Sequence, residues 1–341
     1  MSNTEEHPDE FVLGNENDAE TPATELLEPR EVPLGGARAM PVLRALPNKN
    51  RRMIGAWCFI DSYGPVELST HGGMQVPPHP HIGLQTVSWL VAGDVQHRDS
   101  LGTSLRIEPG TLGIMTAGHG ISHSEMSPED APPTLHGAQL WVALPENSRT
   151  QAPSFAGLTS LPTFELESNP AGRATATLLV GDFEGQSSDA PAFTPLFGLE
   201  VKFAGTSSAN VTLHESFEHG VLALTDDATV NGEAVARGSV LYLAPGHSSV
   251  TLSTSGPGTL MILGGEPFAE EIVMFWNFVG RTHDEVEEAR DTWQTEREAE
   301  LSSDARPRFG LVPDHEGFTL PAPRLPSVEL LPRGRARRRK R

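Results

Sequence analysis

Residues 73–93 read GMQVPPHPHIGLQTVSWLVAG. His79 and His81 stand two apart, just ahead of the apolar run Thr86–Val91. Along a strand, successive side chains alternate faces, so both imidazoles point the same way. A second stretch, TAGHGISHSEM (Thr116–Met126), sets His123 and Glu125 at the same spacing. Working outward, the chain from Val32 onward is a series of short apolar runs, among them Met53–Phe59, Thr111–Met115 and Leu140–Leu144. Gly and Pro interrupt them every 8–12 residues or so, as in an all-β sandwich or barrel.

The same texture resumes after a looser Pro/Ser/Gly-bearing connection at 145–172, with runs such as Ala174–Val180, Leu199–Phe203 and Leu260–Leu263. PGTLGIMTAGH (Pro109–His119) is echoed by RGSVLYLAPGH (Arg237–His247), which points to two related β domains. One helix is expected. Thr282 and Glu285 have the form of a capping box, acids fill the first turn, and Val286, Ala289 and Trp293 make one apolar stripe. The helix should run over 283–301 and pack on the second domain. The expected organisation is a disordered acidic segment at 1–30, a metal-binding domain at 31–160, a second domain with the helix at 161–315, and an extended tail at 316–341 that ends in a basic run.

The 341 residues carry a net charge of -20 and one cysteine, Cys58. Residues 1–30 hold nine acids against one base, while 333–341 hold seven bases and no acid. An acidic body repels phosphate backbones, so direct nucleic-acid binding is not expected. The basic end reads as a solvated tail. The apolar runs are too short to span a membrane, and the chain opens on no charged-then-apolar leader. With no intrachain disulfide possible, a cytoplasmic location is expected. A phosphate-cradling glycine loop, a dinucleotide fingerprint and a Ser-His-Asp set are all missing from the sequence.

Two such pairs on neighbouring strands would surround one ion with three imidazole nitrogens and one carboxylate oxygen. That set suits a divalent Fe, Ni, Cu, Mn or Zn ion, and an octahedral ion would keep two open positions. Burying an unpaired carboxylate with three histidines in an apolar interior would otherwise be costly. His97 is a candidate for orienting a ligand, and His119 is a comparable candidate. His71 and His136 read as structural, and Cys58 as an inert buried thiol. His214 and His219 are five apart, which does not place them on one strand face, so the second domain reads as metal-free.

Gly73, five residues, then His79-Pro80-His81 is similar to the opening of the first cupin motif. The longer stretches His79–Gly102, Pro109–Met126, Leu135–Pro145, Arg51–Pro65 and Met274–Trp293 resemble the pirin family, covering about residues 35–300. The resemblance implies two cupin-type β-barrels packed face to face, a bicupin, with metal only in the first and typically iron, Fe(II). It puts the ligands at His79, His81, His123 and Glu125. Many cupins carry a Glu four residues after the second His; here that position is Gln85, and the carboxylate comes from Glu125 instead.

The resemblance further implies an oxidoreductase like quercetin 2,3-dioxygenase, which cleaves flavonols with dioxygen and releases carbon monoxide. Its partners would be a small aromatic substrate and dioxygen. Glu125 would be the general base, in a dry pocket for which Met115, Met126 and Trp89 are candidate walls. The alternative is a non-enzymatic, redox-responsive iron protein that regulates a transcription factor or metabolic enzyme through a protein partner. No membrane partner is expected, and the protein should be a monomer.

Overall fold

The computed structural model describes residues 23–34, 40–298, 307–315 and 317–334. In the first half the elements are β1 (Thr24–Leu27), β2 (Arg30–Leu34), β3 (Met40–Leu46), β4 (Trp57–Glu67), α1 (Leu68–His71), β5 (Gln75–His81), β6 (Leu84–Ala92), β7 (Val95–Asp99), β8 (Ser104–Ile107), β9 (Leu112–Thr116), β10 (Ile121–Met126), β11 (Thr134–Ala143) and β12 (Ser154–Leu158). The second half begins with β13 (Thr163–Glu165), β14 (Ser168–Asn169), β15 (Ala174–Phe183), β16 (Gln186–Ser187), β17 (Leu196–Phe203), β18 (Ser207–Thr212) and β19 (Glu218–Ala223). It continues through β20 (Ala228–Val230), β21 (Glu233–Val235), β22 (Val240–Leu243), β23 (Ser249–Thr254), β24 (Gly258–Gly265), β25 (Val273–Phe275), β26 (Phe278–Gly280) and α2 (His283–Glu298).

Among the described residues the first half pairs a seven-stranded sheet, β12-β9-β6-β11-β4-β3-β2, with a four-stranded one, β5-β10-β7-β8. The second half pairs β1-β22-β19-β24-β17-β15-β13 with β14-β18-β23-β20-β21. In each half, side chains from both sheets meet in one core. Tyr63 and Leu90 of the large sheet pack with Val76, Val95 and Ile107 of the small one in the first half. In the second half Leu199 and Ile262 pack with Val211, Val230 and Leu252. The fold is therefore all-β and bicupin, with each half built as two facing open sheets rather than a closed cylinder.

The halves meet through their large sheets. Trp57, Trp89 and Leu140 share one core with Leu222, Met261 and Leu263. Indole N–H groups fix that interface: Trp57 donates to the Gly264 carbonyl at 3.2 Å and Trp89 to Glu200 at 2.8 Å. The backbones close to contact where Gly55, at φ 54°, meets Gly265. A Cβ on Gly55 would lie 2.8 Å from the Gly265 Cα, so only glycine fits there.

Four expectations need correction. Thr24–Leu27 lies inside the segment expected to be disordered, yet it is a strand paired with β22, with Leu27 buried and Glu25 bonded to the buried Arg51 at 3.2 Å. Residues 1–22 lie outside the described residues. Helix α2 buries Val286, Ala289 and Trp293 as the stripe predicts, and the Thr282 hydroxyl accepts from the Glu285 N–H. But its core includes Ile82 of the first half, so it does not pack on the second domain alone; residues 299–301 lie outside the described residues. The expected extended tail contributes buried Leu320 and Ala322, and the Leu320 N–H donates to the Pro78 carbonyl of β5 at 2.8 Å. Finally, α1 is a second, four-residue helix. Among the described residues no helix is long and apolar enough to cross a membrane.

Candidate metal centre

The site begins with β5. Its sequence, QVPPHPH, carries three prolines, which cannot donate to a ladder and so favour a sheet edge. β5 is the edge strand of the four-stranded sheet. It pairs with β10 so that His79 lies opposite His123, and His81 opposite Ile121. The ligand atoms of His79, His81 and His123 all lie within 4.8 Å of one another. All three are buried, and their ring centroids are 4.3–5.0 Å apart.

Hydrogen bonds fix how two of the rings present themselves. His79 Nδ1 lies 2.9 Å from the Pro77 carbonyl, so it donates there and leaves Nε2 with a lone pair. His123 Nδ1 faces His97 Nδ1 at 3.3 Å. The Nε2 atoms of His79, His81 and His123 are buried without a hydrogen-bond partner, and so is Glu125 Oε2. Each orphaned group costs about 1–3 kcal/mol. Four together rival the ~5–15 kcal/mol net stability of a typical domain. Coordination to a divalent ion would relieve that cost, so the donors fit such an ion.

Electrostatics agree with that fit. Burial lowers the His79 imidazole to about 3, and pushes His81 and His123 well below the usual histidine range. They are thus neutral, the form that binds metal. Glu125 is buried and lies outside the three-histidine group. Against β5 the register shifts between His123 and Glu125, which sets Glu125 opposite Val76, while the regular pairing with β7 sets it opposite His97. Bulges of this kind re-aim side chains beside functional sites. Burial pushes the Glu125 carboxyl up, while His97 and Ser88 oppose the rise; a dication beside it would hold it ionised.

The surroundings are partly apolar. Trp141 presents its ring edge-on to His81 at 5.2 Å and stacks on Phe59 at 4.0 Å. Ser88 donates to Gln139 at 2.8 Å. The sequence reading overlooked Trp141 and Asp99. Asp99 carried a visible signal, because His97-x-Asp99 has the same two-residue spacing as the other pairs.

Other candidates fall elsewhere. Trp89 turns to the second half, and Met126 is on the face of β10 opposite Glu125, so neither is a pocket wall. Met115 packs with Ile121 and Phe155. Gln85 donates to Thr116 and to the Pro191 carbonyl, both at 3.0 Å. His119 is exposed and bonded to the Gln151 carbonyl. His136 is half-buried, and the His71 side chain lies outside the described residues. Burial raises the Cys58 thiol to about 12, which makes it inert. In the second half His214 is exposed and His219 buried, both beside Phe217.

Comparison with known proteins agrees with this architecture. The pirin family profile matches residues 38–142, and the profile described as the pirin C-terminal cupin domain matches 198–299. A Pseudomonas aeruginosa protein named "Putative quercetin 2,3-dioxygenase" is 40% identical over 329 residues, covering 96% of this chain and 98% of its own. A pirin-like protein of Caulobacter vibrioides is 33% identical over 74% of this chain and 88% of its own. The crystal structure of a quercetin 2,3-dioxygenase from Acinetobacter baumannii superposes with a TM-score of 0.82 at 36% identity, covering 92% of this chain and 98% of that one. With both halves matched and the two-sheet architecture shared, this chain belongs to the pirin family.

Proposed function

We propose that His79, His81, His123 and Glu125 hold one divalent transition metal, Fe(II) in the first instance, and that the protein is a dioxygenase cleaving flavonols such as quercetin. The observation that carries this reading is the convergence of three buried histidines within 4.8 Å, each with an unpartnered Nε2. The names of the similar Pseudomonas and Acinetobacter proteins supply the substrate class. When bound, the ion would supply Lewis acidity toward the flavonol 3-oxygen. The chain supplies the rest. Pro77 fixes the His79 ring through its Nδ1. Glu125, swung away from the ion, takes the 3-hydroxyl proton as general base. Trp141 and Phe59 give an apolar wall that keeps water out.

The test is anaerobic purification, metal analysis, and flavonol loss measured against carbon monoxide release. Metal-dependent loss with stoichiometric carbon monoxide supports the reading. Metal-loaded protein inert toward flavonols would overturn the enzymatic part.

A second reading has one observation in its favour. His79 and His81 are 0% exposed and His123 and Glu125 1%, so the group is enclosed. An enclosed ion suits a redox-responsive regulator that acts through a protein partner. Redox-dependent partner binding without flavonol turnover would select it.

A further inference from the structure

Strands β7 and β10 are paired so that Glu125 lies opposite His97, and His123 opposite Asp99. Directly opposed residues share a face, so all four side chains project into the same interior. His97 and Asp99 are buried. His97 stacks on Phe155, with ring centroids 4.3 Å apart and planes 22° apart. Its Nε2 lies 3.1 Å from Asp99 Oδ2, and its Nδ1 lies 3.3 Å from His123 Nδ1. The other Asp99 oxygen, Oδ1, accepts the backbone N–H of Leu101 at 2.9 Å and of Thr103 at 3.1 Å.

This geometry leaves one arrangement of protons for neutral rings. A carboxylate can only accept, so His97 Nε2 carries the proton toward Asp99. A neutral His97 then has a bare Nδ1, which is an acceptor. Two facing Nδ1 atoms need one proton between them, so it sits on His123. His123 therefore has its lone pair on Nε2, the atom that is buried without a partner. The two backbone donors to Oδ1 fix the carboxylate's orientation at the start of this chain of bonds.

We propose that His97 and Asp99 are positioning residues that hold His123 in the Nδ1–H tautomer and aim its Nε2 at the metal. The inference rests on the metal reading above and extends it to two residues that do not touch the ion. Outer partners of this kind typically account for about ten- to a hundred-fold in metal affinity.

Two variants separate this role from packing. In Asp99→Asn the amide oxygen can keep the Leu101 and Thr103 bonds, which turns the NH₂ toward His97. His97 must then accept at Nε2 and carry its proton on Nδ1, so His123 is driven to the tautomer whose Nε2 is blocked. His97→Phe keeps an aromatic ring against Phe155 but removes the acceptor. His97→Gln restores an acceptor oxygen.

The experiment loads metal-free full-length protein with Zn(II) and measures affinity by chelator competition. Ring ¹⁵N NMR of the Zn(II)-loaded wild type reads the His123 tautomer directly. The proposal expects His123 protonated on Nδ1 and ligated through Nε2. It also expects about ten- to a hundred-fold weaker Zn(II) binding in Asp99→Asn and His97→Phe, with recovery in His97→Gln. Ligation of wild-type His123 through Nδ1 overturns it, whether or not the variants fold. So does unchanged affinity in both folded variants, while the metal site itself would stand. Wild-type protein that takes up no Zn(II) at His123 would overturn both readings together.

Discussion

The two halves share a strand plan and fill it in opposite ways. In the large sheets, β12-β9-β6-β11-β4-β3-β2 corresponds in order to β1-β22-β19-β24-β17-β15-β13. In the small sheets, β5-β10-β7-β8 corresponds to β18-β23-β20-β21. In the first half, those small-sheet strands bury His79, His81, His97, Asp99, His123 and Glu125. In the second, they bury Ala209, Val211, Val230, Val250 and Leu252, which pack with Leu199 and Ile262 into a continuous apolar core. A shared strand plan thus serves once as a cradle for polar donors and once as an apolar core. The difference lies in a handful of inward positions, because strand alternation lets one face change chemistry while the pairing stays the same.

Removing a donor should break the contrast most sharply. His123→Ala is expected to bring bound metal from about one ion per chain to nearly none, while His219→Ala leaves it unchanged, as read by elemental analysis after dialysis. Loss of metal in His219→Ala would mean that the second half also takes part.

The proposed base comes next. Glu125→Gln keeps size and removes the negative charge. If the protein cleaves flavonols, this variant should lose about 10²–10⁴-fold in turnover while keeping part of its metal. Intact turnover in the metal-loaded variant would remove the base role.

In the second half the vulnerable quantity is packing. Leu252 is 0% exposed in its apolar core. Leu252→Ala should cost about 2–5 kcal/mol of stability by chemical denaturation, with metal content per folded chain unchanged.

Acid sharpens the comparison in the metal-free protein. Burial lowers His79 from 6.5 to about 3, and lowers His219 likewise. The unfolded chain binds protons that the folded state refuses between those values. Stability is therefore full above about pH 6.5 and falls as pH drops toward 3. Glu125, shifted upward by burial, opposes part of that loss. The metal-loaded protein should show a steeper loss, because protons also compete with the ion at the histidines. Denaturation midpoints with and without metal across this range check the sign.

The smallest effect concerns β1. Deleting residues 1–30 removes the strand on β22 and takes Glu25 from the buried Arg51, which keeps Glu218 at 3.8 Å. A loss of about 1–3 kcal/mol is expected, against little change on deleting 1–22.

Much of this was legible in the sequence where a short period carries the information. The His79/His81 and His123/Glu125 spacings place side chains on shared faces without any knowledge of distant strands. The Thr282 cap and the Val286, Ala289, Trp293 stripe mark α2 in the same local way. The echo between 109–119 and 237–247 falls on β9 and β22, which hold the same place in their sheets. What escaped depends on long-range pairing. Strand β6 is buried on both faces from Leu84 to Leu90, so no alternation tells which way Trp89 points. The acids of residues 1–30 hide Thr24–Leu27, whose partner Val240–Leu243 lies more than 200 residues away. The small register shift against β5 that sets Glu125 opposite Val76 has no signature in the HxE pair.

The most direct test of a polar cradle in one half and an apolar core in the other is to locate the ion. Anomalous diffraction from crystals of anaerobically purified protein would do so. The account predicts one ion per chain, with Nε2 of His79, His81 and His123 and an oxygen of Glu125 at about 2.0–2.2 Å. An ion bound among residues of the second half, or an interior at His79, His81 and His123 without density after loading with Fe(II), would contradict it.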